Sequence, residues 1–451
     1  MTSNGIDYPT ATAGELAGAL AARRVSAVEL LDAAVARIEA RDGPINAVVV
    51  RDFDRSLSAA KSADAALARG ERGPLLGVPM TVKEAHNVAG LPTTWGSPAF
   101  QGWIAPEDSI GVARLKAAGA IIIGKTNIPP FLADWQSDNP VYGRTNHPLD
   151  PARTPGGSSG GGAAALAAGM VPLEFGSDIG GSIRVPSAFC GVYGHKPSYN
   201  LIPQRGHAPP GLDGADPVLG VIGPMARSAG DLALALNVLA GPSGPEAVGY
   251  RVNLPAPRHA RLADYRVLII DHHPAAVIDS EIRAALERVA GALERAGAAV
   301  ARESRLLPDL ADAHEVYLSL LMPVMSRGPV SPPDLINAHG WMDALDRQVA
   351  LRRQWGGLFE AFDVVLAPTF GVVAFAHDDG PFNDRLHVID GQPTPYGAQL
   401  AWPGMATVAN LPATAVPVGA TKAGLPIGLQ VIGPYLEDHT TVAFAGLLAG
   451  L

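Results

Sequence analysis

The stretch Ala120-Ile121-Ile122-Ile123-Gly124 limits the fold more than any other part of the chain. Five residues without a polar side chain form a strand only where both faces of a sheet are covered, since successive side chains point to opposite faces. Before it, Asp108 to Ala118 reads as an amphipathic helix with Val112 and Leu115 inward, and Gly119 as its stop. Helix, turn and buried strand in that order belong to α/β proteins. The unit recurs without an internal sequence repeat: Arg266 to Asp271 reads as a strand, Ser280 to Ala296 as a helix stopped by Gly297, and Ala298 to Val300 as a strand.

The first hundred residues read as helical. Thr12 with Glu15, and Ser26 with Glu29, have the spacing of capping boxes, and Leu31, Ala34, Val35 and Ile38 share one face behind the second. Leu75 to Val82 then reads as a buried strand that delivers Lys83 at its end. On this segment alone, the simpler reading is a lysine whose stem packs while its ammonium reaches water. Proline and glycine gather at about 241–257 and again at 328–333, which marks loops bracketing an inserted segment.

Charge narrows the ligands. A formal net charge of -9 with no block of Lys or Arg argues against nucleic acid or an anionic membrane as partner, and small, mostly neutral molecules fit better. A single cysteine, Cys190, rules out an internal disulfide, and its apolar surroundings read as packing. The opening residues carry neither a basic leader nor a long apolar run, so the expected location is the cytoplasm. The His272-His273 pair would point to opposite faces of a strand and makes a poor chelate, so no metal site is expected.

The run from Thr154 to Arg184, TPGGSSGGGAAALAAGMVPLEFGSDIGGSIR, holds serines in glycine-rich settings. As a phosphate loop it fails, because Gly161 is followed by Gly162-Ala163 where Lys-Ser/Thr is needed. Gly156, Ser158 and Gly160 fit the Gly-x-Ser-x-Gly elbow of α/β-hydrolases, but Thr154-Pro155 stands where a strand should. In Gly180-Gly181-Ser182, two glycines leave bare backbone N–H groups beside a hydroxyl.

GGSSGGGAAALAAGMVPLEFGSDIGGSIRVPSAFCGVYGHKP is very similar to the signature of the amidase signature family, and GVPMTVKE resembles that family's lysine strand. The likeness runs from about Thr10 to Pro242 and resumes from Leu366-Ala367-Pro368-Thr369 through GLPIGLQVIGPYLED. It is weakest between about Gly249 and Ala361. Two departures stand out: Ser177 where the family usually has Thr, and Ala85-His86-Asn87 in place of a more acidic continuation after Glu84. His86 is expected to cap a loop, with the lining of a pocket as the alternative.

The resemblance implies a single large α/β domain, a twisted mixed sheet flanked by helices on both sides. Residues 8–245 would carry helices, lysine strand and signature, 246–360 a variable substrate-side segment, and 361–451 the rest of the core. It implies a serine, cis-serine, lysine triad: Ser182 as nucleophile, Ser158 as relay after a cis peptide from Gly157, and Lys83 as base. The oxyanion hole would be the backbone N–H groups of Ile179, Gly180, Gly181 and Ser182. Ser159 would support the relay, and Asp178 and Arg184 would hold the loop in shape. No metal or organic cofactor is implied.

In the family the segment after AIIIGKTN borders the acyl pocket. Here it offers Phe131, Leu132 and Trp135 as apolar walls, with Gln136 and Asn139 to orient a polar group. Leu320, Leu321, Met322 and Met325 suit either an apolar mouth or a core helix. The expected substrates are aryl or alkyl carboxylic amides and anilides, with carbamates and esters close behind. Water is the second reactant, and the chain is expected to act as a monomer or homodimer. The alternative is the glutaminase component of a tRNA-dependent amidotransferase complex. A scaffold without turnover is disfavoured by intact Lys83, Ser158 and Ser182.

Overall fold

A computed structural model describes residues 6–212, 214–327 and 334–451. Eleven strands join in one sheet: β1 (Val48–Arg51), β2 (Pro79–Lys83), β3 (Ile121–Thr126), β4 (Leu173–Asp178), β5 (Tyr193–Lys196), β6 (Val221–Ala226), β7 (Arg266–Ile269), β8 (Ala299–Ala301), β9 (Val364–Pro368), β10 (Ala413–Ala420) and β11 (Pro426–Ile432). Their order across the sheet is β1-β3-β2-β4-β6-β5-β10-β11-β9-β7-β8. β3, β2 and β4 run parallel, as do β9, β7 and β8, while the strands between them are antiparallel. The fold is therefore a single α/β domain built on a large mixed sheet flanked by helices.

Local signals in the sequence are realised nearly in place. Thr12 and Ser26 each close a full capping box, with Glu15 and Glu29 bonding back to the cap N–H. The amphipathic stretch before Gly119 forms the Ile110–Ala117 helix, and its side-chain cap is Ser109 rather than a residue at Asp108. The first hundred residues are not all helical. β1 pairs antiparallel with β3 at the sheet edge, a three-valine run too short for periodicity to separate from helix. The Pro- and Gly-rich 241–257 is mostly irregular, with one short turn of helix at Glu246–Gly249, and the loop expected at 328–333 lies outside the described residues. Among the described residues, no helix is long and apolar enough to cross a membrane.

What positions the site is the closeness of two helices to β4. Glu174 and Phe175 are neighbours on that strand and so point to opposite faces. On one face the Gly160–Ala167 helix approaches with Gly162, where an added Cβ would stand 2.5 Å from Glu174 Cγ. On the other, Gly111 of the Ile110–Ala117 helix lies directly against the Phe175 ring.

Gly162→Ala sets two effects against each other. Alanine gains about 1 kcal/mol of helix propensity, but overpacking a closed core costs about 1–3 kcal/mol. Glu174 is fully buried and held by two threonines, so it has little room to give. The variant is expected to unfold at lower temperature than the parent by differential scanning calorimetry, and an equal or higher midpoint would contradict this packing.

Candidate active site

The parallel strands β2 and β4 end together, and their C-terminal ends carry the chemistry, where open α/β sheets present their ligand sites. β2 delivers Lys83, which is completely buried. Its Nζ lies 2.7 Å from Ser158 Oγ and 2.9 Å from Ser177 Oγ. Burial pushes the Lys83 amine down to about 7, although Asp178 and Glu174 pull the other way. A neutral amine in this position can take a proton from the Ser158 hydroxyl.

Ser158 follows a cis peptide from Gly157. No strand precedes it, so the elbow geometry that Gly156, Ser158 and Gly160 suggested is absent there. Ser159 binds the backbone of Ser177 through its hydroxyl and donates its N–H to Ser182 O at 3.1 Å. The relay loop is thus tied to both β4 and Ser182. Ser182 itself sits between the end of β4 and the Arg184–Cys190 helix, the strand-turn-helix setting that the elbow reading looked for one loop too early. Its Oγ makes no hydrogen bond among the described residues. Such links often tighten only once substrate is bound.

The loop from Ile179 to Ile183 wraps around one carboxylate. Asp178 accepts from the N–H of Gly181 at 2.9 Å and of Ile183 at 3.1 Å, and pairs with Arg184 at 2.9 Å. Burial would raise the Asp178 carboxyl, but Arg184 outweighs it and holds the group down at about 2. One correction follows for the oxyanion hole. Gly181 N–H is committed to Asp178, which leaves Ile179, Gly180 and Ser182 with N–H groups that meet no acceptor among the described residues.

The other site candidates separate. Trp135 is buried, and its Nε1 donates to Gly180 O at 2.9 Å, so it braces the loop. Gln136 exchanges two hydrogen bonds with the Asp378 backbone, and Asn139 bonds Asn127, Ile128, Val141 and Tyr142, so neither amide is free for a ligand. Phe131 stands 49% exposed with its ring against Phe100, and Leu132 packs beside Trp95 and Ile128. The Leu310–Met325 helix buries Tyr317, Leu320 and Leu321 and exposes Met322 and Met325. His86 does not cap a loop: it is buried and stacked on Phe175, ring centroids 4.3 Å apart.

Two residues near the site escaped the sequence reading. Glu174, buried near Lys83 and bonded by Thr81 and Thr126, is raised by burial to about 8. Its signal was a carboxylate between the apolar Leu173 and Phe175 of a buried strand. Tyr317 reaches Ile179 O from a distant helix, and nothing local in the sequence marks that contact.

A serine after a buried strand, backbone donors beside it and a lysine held near neutrality are groups that acyl transfer can use. The family model described as Amidase matches residues 29–327 and 335–442. A glutamyl-tRNA(Gln) amidotransferase subunit from Roseiflexus sp. (strain RS-1) is 33% identical, over 94% of this chain and 92% of its own. A solved chain from a vestigial protein complex tied to the evolutionary origins of an s-triazine catabolic enzyme superposes with a TM-score of 0.84 at 29% identity, covering 98% of both chains. A bacterial aryl acylamidase shares the fold, with a TM-score of 0.82 at 24% identity over 98% of this chain and 96% of its own. The protein is an amidohydrolase. It belongs to the amidase signature family.

Arg184→Met tests the pair beneath the loop. Removing one partner of a buried ion pair costs about 3–5 kcal/mol, because it leaves the other charge without compensation. Urea unfolding should show a loss of that order, and a loss below about 1 kcal/mol would mean that the pair does not hold the loop.

Proposed function

We propose that this enzyme hydrolyses the C–N bond of small, apolar carboxylic amides and anilides, and carbamates of similar shape, with Ser182 as nucleophile, Ser158 as relay and Lys83 as base. The observation that carries the reading is a fully buried lysine whose nitrogen meets a serine hydroxyl at 2.7 Å and whose amine is held at about 7. Lys83 takes the proton of Ser158, Ser158 takes that of Ser182, and Ser182 Oγ attacks the carbonyl carbon. Negative charge collects on the former carbonyl oxygen, opposite the N–H groups of Ile179, Gly180 and Ser182. The proton returns along the same chain to the leaving nitrogen, the C–N bond breaks, and an acyl ester on Ser182 remains. Water then repeats the sequence and releases the acid. An apolar substrate is supported by Asp178 and Arg184 being spent on each other, which leaves neither charge free for a polar group.

A second reading has its own support. The relative from Roseiflexus sp. is part of a glutamyl-tRNA(Gln) amidotransferase, at 33% identity over nearly the full length. Glutamine carries an ammonium and a carboxylate, so that role needs unpaired charges around the acyl group. Comparing release of ammonia from glutamine with release of an aromatic amine from 4-nitroacetanilide separates the two.

A fluorophosphonate probe should modify Ser182, as peptide mass spectrometry will show; an adduct on Ser158 would overturn the assignment of Ser182 as nucleophile. Ser182→Ala should abolish turnover, and Lys83→Ala and Ser158→Ala should each lower kcat by about 10⁴-fold or more, as in other catalytic triads. A Lys83→Ala enzyme with parental kcat would sink the triad.

The pH profile follows from the sign of the shift. The base works only when deprotonated, so kcat/KM should climb about tenfold per unit below the Lys83 value and level off above it. That value is about 7, so the bend belongs near neutrality. A flat profile between pH 5 and 9 would speak against a lysine base.

A further inference from the structure

A trans peptide is planar, and its C=O and N–H point in opposite directions. Fixing one carbonyl therefore aims the N–H of the following residue. In the loop beside Ser182 the carbonyls are held from outside one after another. Tyr317 Oη donates to Ile179 O at 2.8 Å, Trp135 Nε1 to Gly180 O at 2.9 Å, and Val185 N to Gly181 O at 2.7 Å. These clamps aim the N–H groups of Gly180, Gly181 and Ser182 respectively. Gly181 N–H ends on Asp178. The Ser182 clamp is the first turn of its own helix. Among the described residues, only the Gly180 donor is both unpartnered and aimed by a distant side chain.

Tyr317 is built into this place. It is completely buried, and burial raises its phenol, which therefore stays a donor at any working pH. The ring lies against Gly404, where a Cβ would stand 2.7 Å from its Cδ1 and leave it no room.

We propose that Tyr317 is a positioning residue for acyl transfer: its hydroxyl fixes the Ile179 carbonyl so that Gly180 N–H faces the developing oxyanion. The inference rests on Ser182 being the nucleophile. Through it, the Leu310–Met325 helix, in the segment where the family resemblance is weakest, sets the geometry of a donor that belongs to the family's shared chemistry. Without the phenol, the peptide must reorganise as charge develops, and that penalty falls on the transition state rather than on substrate binding.

The test uses the intact enzyme and the rate of Ser182 phosphonylation by a fluorophosphonate, which also builds negative charge on an oxygen and needs no knowledge of the natural substrate. Deleting an oxyanion donor outright costs about 10²–10³-fold in rate, so loss of its clamp should cost about tenfold. Tyr317→Phe is expected to slow labelling and kcat by that factor, with KM changed less than about twofold. Trp135→Phe, whose clamped peptide ends on Asp178, should lose clearly less. Gly404→Ala, which displaces the ring and with it the hydroxyl without removing either, should lose in the same direction and decides the matter if Tyr317→Phe does not fold. Parental labelling rates in the folded variants, a change confined to KM, or equal losses for Trp135→Phe and Tyr317→Phe would each overturn the inference. A parental enzyme that is never labelled at Ser182 removes its basis along with the hydrolase reading.

Discussion

The guanidinium of Arg184 lies where no water can reach it, and its five N–H groups must all be met by protein. Nε and Nη2 bind the Asp178 carboxylate, Nη2 also binds Thr407, and Nη1 binds Pro403 O and Gln430 Oε1, so every one of them has a partner. One side chain thereby joins the end of β4, the helix after Ser182, the Ala401–Val408 helix and β11. The electrostatic effect matters as much as the bracing. Asp178 acts on Lys83 to favour its charged form. Glu174 acts the same way, yet burial outweighs both, and Lys83 is held at about 7.

Burial alone does not single Lys83 out. Lys125 and Lys196 are also completely buried, and burial lowers them to about 8 and about 7. Their partners differ. Lys125 Nζ binds Pro92 O and Thr93 Oγ1, and Lys196 Nζ binds Pro197 O at 2.9 Å. The Pro197 carbonyl has no proton to give, whereas Lys125 does meet a hydroxyl, that of Thr93, far in sequence from the loop beside Ser182. Lys83 alone of the three faces Ser158, whose hydroxyl leads toward a loop with free backbone donors. Partner chemistry, more than a shifted acidity, marks the reactive lysine.

Those distinctions explain what could be read in the chain and what could not. The capping boxes at Thr12 and Ser26, the stop at Gly119, and the apolar strands around Ile122 and Leu268 depend on residues a few positions apart, and all were legible. The glycine-serine run with Lys83 carried the family. The pattern could not say that Gly181 N–H would turn to Asp178, or that Trp135 and Gln136 would brace backbone instead of lining a pocket. Each of those outcomes is decided by how the folded chain brings backbone and side chains together, and periodicity does not record that. The clearest case is Tyr317, whose partner Ile179 lies 138 positions away.

Cys190 closes the short helix that begins just after Ser182, and it is the chain's single cysteine. Its thiol is buried against Pro155 O, and burial raises its pKa far above the ordinary value. In the folded enzyme it is therefore slow to alkylate and slow to oxidise. It becomes reactive only when the helix behind the nucleophile opens. The thiol is thus a built-in clock: the pace at which an alkylating reagent consumes it reports how often the catalytic end of the molecule breathes, without any label being added.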